Sequence, residues 1–175
     1  MSIFVPGDDD PRYTRRNGIF VPPGEGDTRW VSGDTYTLKA GAQETNGALT
    51  FVEATVPPGA GAYPHLHHQH DEAFYIISGE LEFLNGDQTI TAGPGSFYYV
   101  PRSTRHRFVN KGVHSTKMIF MFLPGGIEEL LFENTEKAVP GVTPPDPAAS
   151  TVPHTPELMV RFGTEVLPGD FPTDI

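Results

Sequence analysis

Apolar and polar residues alternate with a period of two through many short stretches of this chain, and rarely with a helical period. In Glu80-Leu81-Glu82-Phe83 the glutamates share one side and Leu81 and Phe83 the other, so a strand there has one wet face and one buried face. Similar runs predict strands over 30–31, 35–39, 49–56, 72–78, 80–84, 88–92, 97–100, 106–110 and 117–123. Turn residues separate them: Pro57-Pro58-Gly59, Gly93-Pro94-Gly95 and Pro124-Gly125-Gly126. Asn85-Gly86 predicts a two-residue type I′ hairpin, which needs positive φ at both central positions. Ile127, Leu130 and Leu131 at helical spacing predict a short helix within 127–137. Pro156 at a first-turn position predicts a second one reaching Phe162, with Leu158, Met159 and Phe162 available to dock. Between them, 138–155 carries Pro140, Pro144, Pro145, Pro147 and Pro153, too much proline for a helix interior or a central strand, and reads as an extended linker. The expected organisation is an N-terminal extension over 1–28, an all-β barrel over 29–125, and over 126–175 a short helix, a Pro-rich linker and a helical tail.

Composition narrows this picture. At 175 residues the chain suits one domain with a sizeable core, and no internal repeat points to a second barrel. The 19 Gly and 18 Pro are spread as punctuation, as in folds of many short strands. Twelve Lys and Arg against 22 Asp and Glu leave a formal charge of -10, which repels a phosphate backbone and an anionic bilayer, so neither nucleic acid nor membrane is expected as a partner. No apolar run approaches the roughly 20 residues of a membrane span. Residues 1–26 are polar and rich in Pro and Gly where a signal peptide would be apolar, so a cytoplasmic location is expected. Without cysteine, any metal site must use imidazole and carboxylate.

Four of the seven histidines crowd into His65-Leu66-His67-His68-Gln69-His70, with Glu72 two residues on. On a strand, His65 and His67 point to one face with Cα atoms about 6.6 Å apart. Two imidazoles so placed can converge on an ion at about 2.0–2.1 Å from each nitrogen. Glu72 has the wrong parity for a straight strand, so 68–71 must turn or bulge for Glu72 to face the same interior point from a second strand. His68 and His70 have the opposite parity to His67 and are expected at solvent or rim positions, His70 being the better placed to support the site. His114 and His154 read as surface residues. Arg102, Arg105 and Arg107 could aim at an anionic substrate, but on an acidic protein arginines more often pair with its own carboxylates, and such pairing is expected of these three.

Two ordered segments resemble the cupin signatures. Gly59, His65, His67, Glu72 and Gly79 fit the first, glycine, five residues, His-x-His, four residues, Glu, six residues, glycine; Gly95, Pro101, His106 and Asn110 fit the second. Ser103 stands where the family usually has glycine. The run Asp71-Glu72-Ala73-Phe74-Tyr75, the Pro-Gly-Gly before a Glu-rich helix, and the short helix in the tail are similar to the single-barrel, quercetin-dioxygenase-like subgroup. The resemblance implies a jelly-roll β-barrel with short C-terminal helices, holding one divalent transition metal per chain through His65, His67, Glu72 and His106. It also implies a homodimer, which would cover the unpaired edges of a small barrel.

Three imidazoles and a carboxylate suit Fe, Ni, Co, Mn, Cu or Zn and leave one or two positions open for water, substrate or dioxygen. Phe74 and Ile76 share the inward parity of Glu72, and Phe108 that of His106; with Met118 and Phe120 they are expected to line an apolar cup for a flat or hydrophobic substrate. Three functions are compatible with such a site. One is a dioxygenase of an aromatic or enol-type, flavonol-like compound, with Glu72 as the catalytic group that takes the substrate's hydroxyl proton. The others are a non-redox cyclase or isomerase of polyketide-like substrates, and a binding module without catalysis. Dioxygenation ranks first because a carboxylate beside the metal suits deprotonation of an enol; the metal's identity and the substrate stay open.

Overall fold

A computed structural model describes residues 18–146 and 155–168. In chain order the elements are β1 (Asp27–Val31), β2 (Asp34–Ala40), α1 (Ala42–Thr45), β3 (Thr50–Val56), β4 (His65–His67), β5 (Asp71–Ser78), β6 (Leu81–Asn85), β7 (Gln88–Ala92), β8 (Phe97–Val100), β9 (His106–Val109), β10 (Thr116–Leu123), α2 (Glu128–Leu131), β11 (Glu136–Lys137), α3 (Pro156–Phe162) and β12 (Thr164–Val166). They form two antiparallel sheets in jelly-roll fashion, one in the order β11-β1-β2-β3-β10-β5-β8 and the other β12-β4-β9-β6-β7. The core lies between the sheets. Alternation fills it: Val52, Ala54 and Val56 of β3, Met118, Phe120 and Phe122 of β10, and Phe74 and Ile76 of β5 are all buried. As read from the pattern, Leu81 and Phe83 of β6 face inward. Burying each such large apolar side chain contributes about 1.5–3 kcal/mol.

Pairing of β5 with β10 sets the depth of each layer. Glu72 lies opposite Phe122, Phe74 opposite Phe120 and Ile76 opposite Met118, so the first pair sits at one end of the barrel and the third two layers deeper. Signature residues outside the ligand set build corners. Gly79 has φ of 81°, and a Cβ there would run into the Thr116 hydroxyl. Asn110 donates through Nδ2 to the carbonyls of Val56 and His114, both at 2.8 Å, and accepts from Gly112 N at 2.9 Å.

Several expectations need correction. The hairpin between β6 and β7 pairs Asn85 with Gln88, so its two-residue loop is Gly86-Asp87 and not Asn85-Gly86. Glycine takes the left-handed first loop position there, with φ of 61°. Two successive positive φ values occur instead at Ser32 (51°) and Gly33 (89°), between the paired Val31 and Asp34. The helix expected within 127–137 is confined to α2. Beyond it Asn134 takes φ of 53°, and Glu136 and Lys137 pair with Trp30 and Arg29 as strand β11. The tail is not only helical, since β12 follows α3 and joins β4. Of the expected linker, 138–146 contains no regular element and 147–154 lies outside the described residues. No helix of the described residues is long and apolar enough to cross a membrane.

Asp34 is buried on β2, with Oδ2 accepting the Tyr36 hydroxyl at 3.0 Å and Oδ1 making no hydrogen bond. Burial pushes its pKa well above the ordinary value, only partly countered by that hydrogen bond. Below the unfolded-chain pKa of about 3.9 both states hold the proton and the group is neutral to stability. As pH rises past that value the unfolded chain ionises while the folded one keeps its proton, so stability falls towards neutral pH. Asp34→Asn removes this dependence and is expected to raise unfolding free energy at pH 7 by about 1–3 kcal/mol. Urea denaturation of both proteins between pH 4 and 8 checks it: the gain should grow with pH, and a gain independent of pH would contradict the assignment.

Candidate metal centre

His65, His67, Glu72 and His106 come together at the barrel end marked by Phe122, with one potential ligand atom from each lying within 4.8 Å of all the others. Strand β4 carries His65 and His67 on one face, β5 carries Glu72 inward as its second residue, and β9 begins with His106, which pairs directly with His65. The bend expected between His67 and Glu72 falls at His68 and Gln69, both exposed. Glu72 Oε2 lies 2.9 Å from His106 Nε2 and 3.6 Å from His67 Nε2. His67, Glu72 and His106 are each at most 4% exposed, so the set is closed to bulk water on most sides.

Each ring is held from behind. Nδ1 of His65 lies 2.7 Å from the Tyr63 carbonyl, Nδ1 of His106 lies 2.9 Å from the Thr104 carbonyl, and Nδ1 of His67 lies 3.0 Å from Thr164 Oγ1. A carbonyl only accepts, so the imidazole proton of His65 and His106 sits on Nδ1 and the Nε2 lone pair faces the centre. Burial raises the pKa of Glu72, and its hydrogen bond with His106 pulls the other way. For His106 burial works against the charged ring, but the bond to Glu72, its charge and the Thr104 carbonyl outweigh burial and lift the pKa. Two buried acceptors at 2.9 Å require a positive charge between them, either a proton or a cation. Three imidazole nitrogens and a carboxylate gathered at one point, with the outer nitrogens of the rings already hydrogen-bonded, fit a divalent transition metal.

Residues 52–122 match the cupin domain family. The barrel is a cupin domain. Quercetin 2,3-dioxygenase of Bacillus subtilis (strain 168) is 31% identical over 105 residues, 60% of this chain and 31% of that protein. The enzyme of the same name from Aspergillus japonicus is 28% identical over 113 residues, 59% of this chain and 32% of that protein. The chain thus spans about a third of the length of these curated relatives. The solved structure of KdgF from Halomonas sp. is similar with a TM-score of 0.57 at 25% identity, covering 64% of this chain and 98% of that one.

Around the centre, the barrel departs from expectation at His70. It is buried, not at the rim, because the chain turns inward after the exposed Gln69 and sets the ring beside Phe122, centroids 6.1 Å apart; its Nδ1 makes no hydrogen bond. His68 is exposed, with Nδ1 3.0 Å from Ser103 Oγ. Ser103 adopts φ of 64°, which explains why glycine is usual at this position. Its backbone N donates to the His67 carbonyl at 2.7 Å, which ties the turn before His106 to β4. His114 is exposed, and His154 lies outside the described residues. The three arginines pair with the protein's own carboxylates: Arg102 with Asp71 at 3.0 Å, Arg105 with Asp87 at 3.6 Å and Arg107 with Glu82 at 3.0 Å. The first of these also anchors the loop before His106 to the strand that carries Glu72, since Arg102 N donates to Asp71 Oδ1 at 2.9 Å.

Phe74, Ile76, Phe108, Met118 and Phe120 are all buried in the core. Phe74 approaches the centre, its ring 6.4 Å from that of His106, and Phe122 packs edge-on to His67 at 5.2 Å. Ile76 and Met118 share the deepest of the three layers. Thr164 had no signal in the signatures, since it lies on a strand of three residues far along the chain.

Proposed function

We propose that this protein is a metal-dependent dioxygenase of an aromatic or enol-type small molecule, flavonol-like in shape. The observation that carries the proposal is the position of Glu72: a buried carboxylate sharing one point with three imidazoles against the aromatic rings of Phe74 and Phe122. Two relatives bearing the name quercetin 2,3-dioxygenase support it. A divalent cation held by His65, His67, Glu72 and His106 supplies positive charge that favours an ionised substrate hydroxyl, and the redox contact that dioxygen chemistry needs.

The chain's own residues do the rest. Glu72, placed within reach of a hydroxyl at the centre, accepts its proton at a carboxylate oxygen. The Nδ1 hydrogen bonds of the three histidines keep their rings from rotating as the proton moves. Phe74, Phe120 and Phe122 give a flat substrate an apolar wall and exclude water, which protects an electron-rich enolate until it meets dioxygen.

The test is oxygen uptake by metal-loaded protein with a panel of flavonols and phenolic ketones. One dioxygen consumed per substrate converted is expected. Conversion that proceeds unchanged under strict anaerobiosis would replace this reading with metal-assisted cyclisation or isomerisation, and binding without conversion would make the protein a binding module.

A further inference from the structure

The three imidazoles are not oriented in the same way. His65 and His106 hold their Nδ1 protons on carbonyls two residues back in the chain, so their orientation is local to the strand that carries them. His67 has as its Nδ1 partner a side chain, Thr164 Oγ1 at 3.0 Å, across 97 residues of sequence. Thr164 reaches it because β12 pairs antiparallel with β4, setting Thr164 against His67, Glu165 against Leu66 and Val166 against His65. The strand is clamped at both ends, by His68 N donating to the Gly163 carbonyl at 2.7 Å and Leu167 N donating to the Pro64 carbonyl at 2.8 Å. Ahead of it, α3 buries Phe162 in the core, and Gln69 Nε2 donates to the Arg161 carbonyl at 3.1 Å. Thus 155–168, which lies wholly outside the matched cupin region, contributes a strand to the very edge that carries two candidate ligands.

We propose that Thr164 is a positioning residue of the metal centre, and that docking of 155–168 on β4 and metal binding through His67 are coupled. The proposal rests on the metal reading of the cluster and adds a dependence that the ligand set alone does not contain. A neutral imidazole has one N–H, and for Nε2 to ligate that proton must be on Nδ1 and buried with an acceptor. The Thr164 hydroxyl is that acceptor. Where β12 is undocked, His67 loses it and can turn its lone pair away from the centre; where metal holds Nε2, Nδ1–H holds Thr164 in return. Coupling of this kind is reciprocal, so metal strengthens β12 docking by the factor by which docked β12 strengthens metal binding. Removing such an outer partner of a ligating histidine typically costs about 10–100-fold in metal affinity.

The experiment uses the full chain with Co2+ as probe, comparing wild type, Thr164→Val and Thr164→Ser by chelator competition and by hydrogen exchange at the amides of 163–167, each with and without the ion. Valine keeps the shape and the backbone pairing but lacks the acceptor, whereas serine keeps it. Expected are Co2+ binding about 10–100-fold weaker in Thr164→Val and within a few-fold of wild type in Thr164→Ser. Metal should slow exchange at 163–167 in wild type and Thr164→Ser but not in Thr164→Val. Wild-type affinity in Thr164→Val, a loss in Thr164→Ser as large as in Thr164→Val, or exchange at 163–167 that ignores metal in the wild type would each overturn the coupling. The last comparison needs no variant and stands even if Thr164→Val folds poorly. A wild type that binds no Co2+ would sink the metal reading itself, and the coupling with it.

Discussion

His106→Ala is expected to reduce metal affinity by on the order of 100-fold or more, beyond the roughly 10–100-fold that outer partners of a ligating histidine contribute. His106 Nε2 stands 2.9 Å from Glu72 Oε2, and its Nδ1 is held by the Thr104 carbonyl, so the ring is fixed with Nε2 towards the centre. The double variant with His65→Ala should hold no stoichiometric ion, because the paired strands β4 and β9 would then each have lost a ligand. His68→Ala is the control: its ring is exposed and bonded to Ser103, and metal content should be unchanged. Metal content after dialysis, measured by elemental analysis, decides the matter. Full occupancy in the double variant would remove the histidines from the account.

Glu72→Gln separates binding from chemistry. Glutamine keeps the size of the side chain and an oxygen for the ion but cannot accept the substrate's proton. We expect metal to be retained and turnover with a flavonol to fall by about 10²–10⁴-fold, the usual contribution of a positioned general base. Single-turnover oxygen uptake by variant and wild type, both loaded to the same metal content, is the measurement. Turnover within a few-fold of wild type would show that the proton goes elsewhere and leave Glu72 only a ligand.

What could be read in the sequence is local. His65 and His67 share a strand face by parity, Glu72 follows a short bend, and the signature that adds His106 covers few residues, so a spacing was enough to point to the set that the fold brings together. Elements with no internal pattern escaped: β11 has two residues and β12 three, too few for alternation, and each is defined only by the strand it pairs with, β1 for the first and β4 for the second. Thr164 was unreadable for the same reason, its partner lying 97 residues away. His70 was misplaced because parity counts only along a straight strand, and two residues of bend erase it. The hairpin between β6 and β7 shows a related limit: Asn-Gly announces a turn correctly, but register across the sheet decides which two residues form the loop.

The claim on which the rest depends is that three imidazoles and one carboxylate hold a single ion, and X-ray absorption at the edge of the bound metal tests it most directly. For protein loaded to about one ion per chain, the account predicts nitrogen and oxygen neighbours at about 2.0–2.2 Å, with outer-shell scattering from three imidazole rings that drops to two in His67→Ala. A spectrum with oxygen neighbours alone, or one identical in wild type and His67→Ala, would contradict it.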